Sequence, residues 1–305
     1  IHEGQISRLG GVSIFITFIS LYLIYADQFK QKYLYFFLCL IPVFLSGLLE
    51  DLTKLISPMV RLSATCFSSL MILYFFDLKI TRLGFDIVDI YFTSNLFVSY
   101  FLSFLSIVLL TQAYNIIDGL NGLAIITNFF SILTLIFISY ELNEYEILRF
   151  CTIFILSFLG FLILNFPFGK IFLGDGGAYI LGFTLSFIVI YFAMNNLIIS
   201  PFAFFLIVIY PIYELTRSFL RRLLSKEKKS MEPDTGHLHS LIYEYITNKL
   251  KFKKSKSNYI ASIITLCIPL LNCYWAYTFF KSTNFLLIGI FVHFFLYELI
   301  YFFLK

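Results

Sequence analysis

Outside its long apolar runs this chain carries few acidic, amide or imidazole side chains, and four groups of them stand beside glycines or turn residues at the ends of those runs. Glu50 and Asp51 fall in GLLEDLTKL, Asn115, Asp118 and Asn121 in QAYNIIDGLNGLA, Asp175 in KIFLGDGGAYILG, and His237 and His239 in PDTGHLHS. Carboxylates with almost no thiolate or imidazole supply suit a hard cation such as Mg2+ or Mn2+. Such an ion beside basic groups is what transfer at a diphosphate needs. It neutralises the diphosphate, while an acid activates or positions the attacking oxygen.

Each group also has a plain structural alternative. Asn115 and Asp118 are three apart and so share a helical face, with Gly119 and Gly122 permitting close backbone approach. The alternative is a polar helix–helix contact or a turn. Around Asp175, Gly174, Gly176 and Gly177 would let a diphosphate approach the backbone, and Lys170 would add a phosphate-binding charge; a Gly-Asp-Gly turn is the other reading. Glu50 and Asp51 read equally as a solvated span end near Lys54. His237 and His239 would point to one side of an extended loop and diverge on a helix, and they could bind phosphate or metal or simply be solvated.

The elements that must position these groups are set by composition. With 305 residues, 60% hydrophobic, 20% aromatic and only 13% charged, and a mean hydropathy of +0.89, the chain is not a soluble globular domain. Backbone polar groups cannot go unpaired in hydrocarbon, so the apolar runs are helices of an all-α integral membrane protein. Ten spans are expected, near 10–26, 33–49, 59–76, 94–114, 121–140, 148–166, 177–195, 200–220, 258–280 and 284–303. The chain opens on Ile1 with a basic, glycine-containing loop running straight into the first span, so an earlier span is expected to precede it. The five cysteines are scattered through apolar segments without CxxC spacing and imply neither a disulfide framework nor a zinc site. No repeat or linker divides the chain, so residues 1–305 read as one membrane domain, with 221–257 as a basic, His-containing loop within it.

Ten spans alternate the connections between two faces. All four acidic, amide or histidine groups fall on one face, together with 16 of the 22 Lys and Arg residues, and the positive-inside rule makes that face cytoplasmic. Acids at membrane depth cost roughly 2.5–3.5 kcal/mol each on insertion scales, so carboxylates beside long apolar runs are expected to face a polar cavity or a metal. LKITRLGFDIVDIYF, from Leu78 to Phe92, alternates apolar and polar residues about Gly84 and predicts a short hairpin on the outer face. In LHSLIYEYITNKL, apolar residues recur at helical spacing, which predicts a short interfacial helix. An ion-coupled transporter is a rival reading, since broken helices with intramembrane acids also suit carriers, but it calls for acids near the midplane and an inverted repeat. An inactive structural relative of an enzyme is a third. No nucleic-acid partner is expected.

In order and spacing these clusters resemble the polyprenyl-phosphate N-acetylhexosamine-1-phosphate transferases, of the glycosyltransferase family 4 type. The likeness runs through RLGG at 8–11, GLLEDL at 47–52, NIIDGLNGLA at 115–124, KIFLGDGGAYILGF at 170–183 and HLHSLIY at 237–243. It implies a UDP-linked N-acetylated amino sugar as donor, undecaprenyl phosphate as acceptor, UMP as product, Mg2+ or Mn2+ as cofactor, and a bacterial cytoplasmic (inner) membrane location. A homodimer is also implied by the family. By motif, Asp175 would be the metal ligand, Asp51 the acid nearest the acceptor phosphate and Asp118 an orienting group. Glu50, His237 and His239 would join the catalytic set, and Asn115, Asn121, Lys170 and Gly174 the substrate-binding set. Three departures stand out: Glu50 replaces the first Asp of the family's acid pair, His-Leu-His-Ser replaces a denser histidine run, and Asn121 and Ala178 stand where relatives often have Asp and Ser. The thinner histidine motif points to a simpler amino sugar than a cell-wall pentapeptide donor, for an O-antigen or similar surface polysaccharide.

Overall fold

An apolar run in lipid must close its own backbone hydrogen bonds, and in the computed structural model of this chain each run does so as a helix. Residues 6–29, 32–224 and 236–305 are described. Residues 1–5, Lys30 and Gln31, and 225–235, which hold part of the basic loop, lie outside them.

In chain order the helices are α1 (Gly10–Ile24), α2 (Lys32–Thr53), α3 (Pro58–Phe76), α4 (Asp86–Ser94), α5 (Leu96–Ile117), α6 (Leu123–Glu141), α7 (Tyr145–Asn165), α8 (Gly174–Asn195), α9 (Pro201–Leu224), α10 (Leu238–Glu244), α11 (Lys254–Phe279) and α12 (Thr283–Leu304). Among the described residues nine helices are long and apolar enough to cross a membrane. The remaining expected span, the first, near 10–26, is α1, whose 15 residues rise only about 22 Å at 1.5 Å per residue, short of a hydrocarbon core of about 30 Å.

Helix α8 is the axis of the bundle: 89% of its most apolar stretch is buried, and α1, α2 and α5 pack around it. Their close approach has a local cause. A Cβ on Gly11 of α1 would stand 2.3 Å from the Gly177 nitrogen, and one on Gly47 of α2 would stand 2.5 Å from the Gly176 nitrogen. Backbone meets backbone at both crossings, so only glycine fits. A cluster of aromatic rings, among them Phe18, Phe36, Phe150 and Phe187, fills the other half of this interface.

The outer-face hairpin is not formed. No strand occurs among the described residues; 78–85 run without sheet pairing, and Asp86–Ser94 form α4. Ile87, Ile90 and Tyr91 sit at i, i+3 and i+4, so the apolar residues of this stretch also fit one helical face. Asp86 and Asp89 occupy the first turn, where the helix dipole favours acids, and Asp89 Oδ1 accepts the N–H groups of Leu83 (2.6 Å) and Gly84 (3.2 Å). In the segment expected to form a short interfacial helix the structure has α10 followed by a π turn at Tyr245–Lys249, with Leu238, Ile242 and Ile246 buried.

Candidate active site at one end of the bundle

The ends of several helices meet on one side. Gly10 and Gly11 donate their N–H groups to the carbonyls of Phe172 (3.1 Å) and Leu173 (3.0 Å), and Phe172 donates to Ser7 (2.9 Å), so the arm before α1 pairs with the loop before α8. Asn165, closing α7, accepts the Gly122 N–H at 2.7 Å and donates to the Ile171 carbonyl at 2.8 Å. Asn258 of α11 accepts the Asn121 N–H at 3.0 Å. These bonds stitch the α5–α6, α7–α8 and α11 termini around a cavity of about 430 Å3, lined by Arg8, Asn115, Asp118, Gly119, Asn121, Gly174 and Asp175 among others.

Five nominated residues therefore share one cavity wall: Asn115, Asp118, Asn121, Gly174 and Asp175. Asp118 follows α5 as its C-cap residue, and burial together with the negative charge of Asp51 pushes its carboxyl well above the usual carboxylate range. Asp175 opens α8 and forms a close ion pair with Arg61 of α3, both side chains being mostly buried.

Asp51 stands just behind the wall. Its Oδ1 accepts the Asp175 N–H and its Oδ2 the Gly176 N–H, each at 3.0 Å, so a carboxylate from α2 caps the first turn of α8, which has no side-chain cap of its own. Gly174, at φ +74°, is covered by this carboxylate and by the Arg8 carbonyl. Glu50 turns the other way and accepts the Ile56 N–H at 2.8 Å, fastening the α2–α3 connection. Lys170 is exposed, its ammonium 5.6 Å from the centroid of the Phe168 ring, and does not line the cavity.

The histidines approach from α10. His237 is its extended N-cap residue and His239 lies in its first turn, and the two rings stack at 5.4 Å with an interplanar angle of 8°. His239 rests on Gly119, where a Cβ would come within 2.4 Å of Nε2. His237 Nδ1 lies 3.0 Å from Oε2 of Glu214 on α9.

Sequence reasoning passed over Arg8, Arg61, Asn165, Asn258 and Glu214 as site residues. For Glu214 a signal existed: it lies inside the span expected over 200–220, and an acid there invites a search for its partner. Arg61 carried a similar one, a cation in the first turn of an apolar helix. Nothing in their neighbourhoods distinguished the two asparagines.

Among the described residues no group of three or more His, Cys, Asp or Glu is assembled as a ready metal cage. The donor chemistry still suits Mg2+, which binds through one or two carboxylates plus substrate phosphates rather than an all-protein cage. Asp175 and Asp118 on one wall supply such carboxylates, and Arg61 already holds a positive charge against Asp175.

A polytopic helical membrane protein with an acid- and amide-lined cavity at one end of the bundle is thus defined. A family model described as glycosyl transferase family 4 matches residues 33–193, and the chain belongs to that family. It is 31% identical over 238 residues to an undecaprenyl-phosphate alpha-N-acetylglucosaminyl 1-phosphate transferase of Thermotoga maritima, covering 78% of this chain and 68% of the relative. To a probable undecaprenyl-phosphate N-acetylglucosaminyl 1-phosphate transferase of Bacillus subtilis it is 28% identical, covering 78% of this chain and 66% of the relative. A phospho-N-acetylmuramoyl-pentapeptide-transferase of Streptococcus uberis is 32% identical over 149 residues, covering 46% of this chain and 44% of the relative. The chain thus spans about two thirds of the length of the first two relatives and less than half of the third.

Proposed function

We propose that this protein transfers an N-acetylhexosamine 1-phosphate from a UDP-linked amino sugar to undecaprenyl phosphate, releasing UMP, at the cytoplasmic edge of the bacterial inner membrane. The observation that carries this reading is the shared cavity, which brings Asp118, Asp175, Arg8 and two asparagine amides together at the end of the bundle where the basic loops collect. Family membership and the names of the relatives support it.

In the proposed reaction a P–O bond forms at the sugar-bearing phosphorus, the P–O bond to UMP breaks, and the electron pair leaves on the UMP phosphate. Mg2+ or Mn2+ held at Asp175 would neutralise the diphosphate. Arg61, whose Nε is buried without a partner, and Arg8 on the cavity wall would hold the remaining phosphate charge. Asp118 orients the attacking oxygen, the amides of Asn115 and Asn121 offer hydrogen bonds to uridine or sugar, and Asp51 keeps Asp175 in place through the α8 cap. The lipid-linked sugar phosphate would begin an O-antigen or similar surface polysaccharide.

The test is UMP release from UDP-GlcNAc with undecaprenyl phosphate, with and without Mg2+, beside Asp175→Asn. Release that needs lipid and metal and disappears in the variant is expected. Turnover with another UDP-amino sugar alone would move the donor, and silence with every donor would overturn the transferase reading.

A further inference from the structure

Glu214 is 1% exposed, deep on α9 and well away from solvent. A buried carboxylate is tolerated only when donors satisfy it, and here two adjacent residues do so: His237 approaches Oε2 through Nδ1 at 3.0 Å, and the Leu238 N–H donates to Oε1 at 3.2 Å. Two helical turns further along the same helix, Arg221 Nη1 donates to the Gly236 carbonyl at 2.7 Å. Helix α9 therefore clamps three consecutive residues, Gly236 to Leu238, at the point where the chain enters α10.

The clamp decides the protonation pattern of the ring. An ionised carboxylate only accepts, so the proton on the His237–Glu214 bond belongs to Nδ1, and the neutral ring carries its lone pair on Nε2. His237 then stacks on His239, and His239 lies against Gly119 beside Asp118. The other titratable groups around the carboxylate are Tyr210 on α9, Tyr297 and His293 on α12 and His239 on α10.

We propose that Glu214 is the positioning residue of the histidine pair: it fixes His237 as the Nδ1–H tautomer, leaves Nε2 as the proton-accepting nitrogen, and seats the start of α10 so that His239 closes on the cavity at Gly119. The contribution to turnover rests on the transferase reading, whereas the tautomer does not.

The test uses the full chain, labelled with 15N-histidine in lipid nanodiscs at alkaline pH where the ring is neutral, with His237→Gln identifying the His237 signals. Wild type is expected to show a protonated Nδ1 and an unprotonated Nε2. In Glu214→Gln the amide cannot accept from both His237 and Leu238, so the Nε2–H form should appear; Glu214→Asp should keep the wild-type pattern. UMP release by Glu214→Gln should fall about 10–100-fold, the loss typical where a carboxylate orienting a metal-ligating histidine is removed, with KM little changed. An Nε2–H ring in the wild type, or an unaltered spectrum in a folded Glu214→Gln, overturns the proposal. If that variant does not fold, wild type and Glu214→Asp decide. A wild type without UMP release but with the expected tautomer would defeat the transferase reading and leave the Glu214 assignment standing.

Discussion

The carboxylate of Asp51, near the end of α2, accepts the backbone N–H of Asp175, the first-turn acid of α8 that is proposed to bind the metal, 124 positions further along the chain. Two of the nominated acids are thus joined by a bond in which one is the acceptor and the other contributes only its backbone. Any variant of Asp51 therefore also changes how Asp175 is presented.

Asp51→Ala leaves the N–H groups of Asp175 and Gly176 without their cap. Loss of a cap costs about 0.5–2 kcal/mol. The expected outcome is a lower apparent melting temperature of the purified protein in detergent with no substrate or metal present. An unchanged melting temperature would mean that Asp51 does not hold α8.

The glycine crossings give a second expectation. Gly11→Ala would drive a Cβ into the Gly177 backbone, which cannot swing aside as a side chain could. Overpacking of this kind costs roughly 1–3 kcal/mol. Gly160, in the middle of α7, has nothing within 4 Å of a new Cβ, so Gly160→Ala should be neutral or stabilising by up to about 1 kcal/mol. Thermal melts of the two variants side by side separate a crossing glycine from an incidental one.

These two relationships show where sequence reasoning reached and where it stopped. Span positions were legible because hydropathy is local: the fifth span, expected over 121–140, is α6 at Leu123–Glu141. That Asn115, Asp118 and Asp175 gather at one end follows from alternating connections. What Gly11, Gly47, Gly176 and Gly177 do was not legible. The three around Asp175 were read as room for a diphosphate, yet Gly176 and Gly177 face α2 and α1, and a contact between segments more than a hundred residues apart leaves no local mark. Alternation over 78–92 misled for the opposite reason, since a short stretch of apolar residues fits both periods.

Arg61 and a bound divalent cation would compete for Asp175. Removing one partner of a largely buried pair leaves the other uncompensated; with both side chains about one-fifth exposed, Arg61→Gln should cost about 1–3 kcal/mol in metal-free protein. Mg2+ should then raise the melting temperature of Arg61→Gln more than that of wild type, and should leave Asp175→Asn unmoved. Equal Mg2+ shifts in wild type and Arg61→Gln would show that the ion and the guanidinium do not share this carboxylate.

Asp118 supplies a pH dependence of definite sign. Burial first, and the charge of Asp51 second, raise its carboxyl well above the usual range, so between the unfolded value of about 3.9 and the folded one the native protein holds a proton that the unfolded chain has lost. Stability from this group is present at low pH and is lost as pH rises through that window. In EDTA, Asp118→Asn should accordingly melt above wild type at neutral and alkaline pH, and the gap should close as the medium is acidified. Positive charge placed in the cavity opposes the same burden, so Mg2+ should narrow the gap at high pH. Melting curves across pH with and without the ion check this, and a wild type that outlasts Asp118→Asn at alkaline pH in EDTA would place a compensating cation at Asp118 within the protein itself.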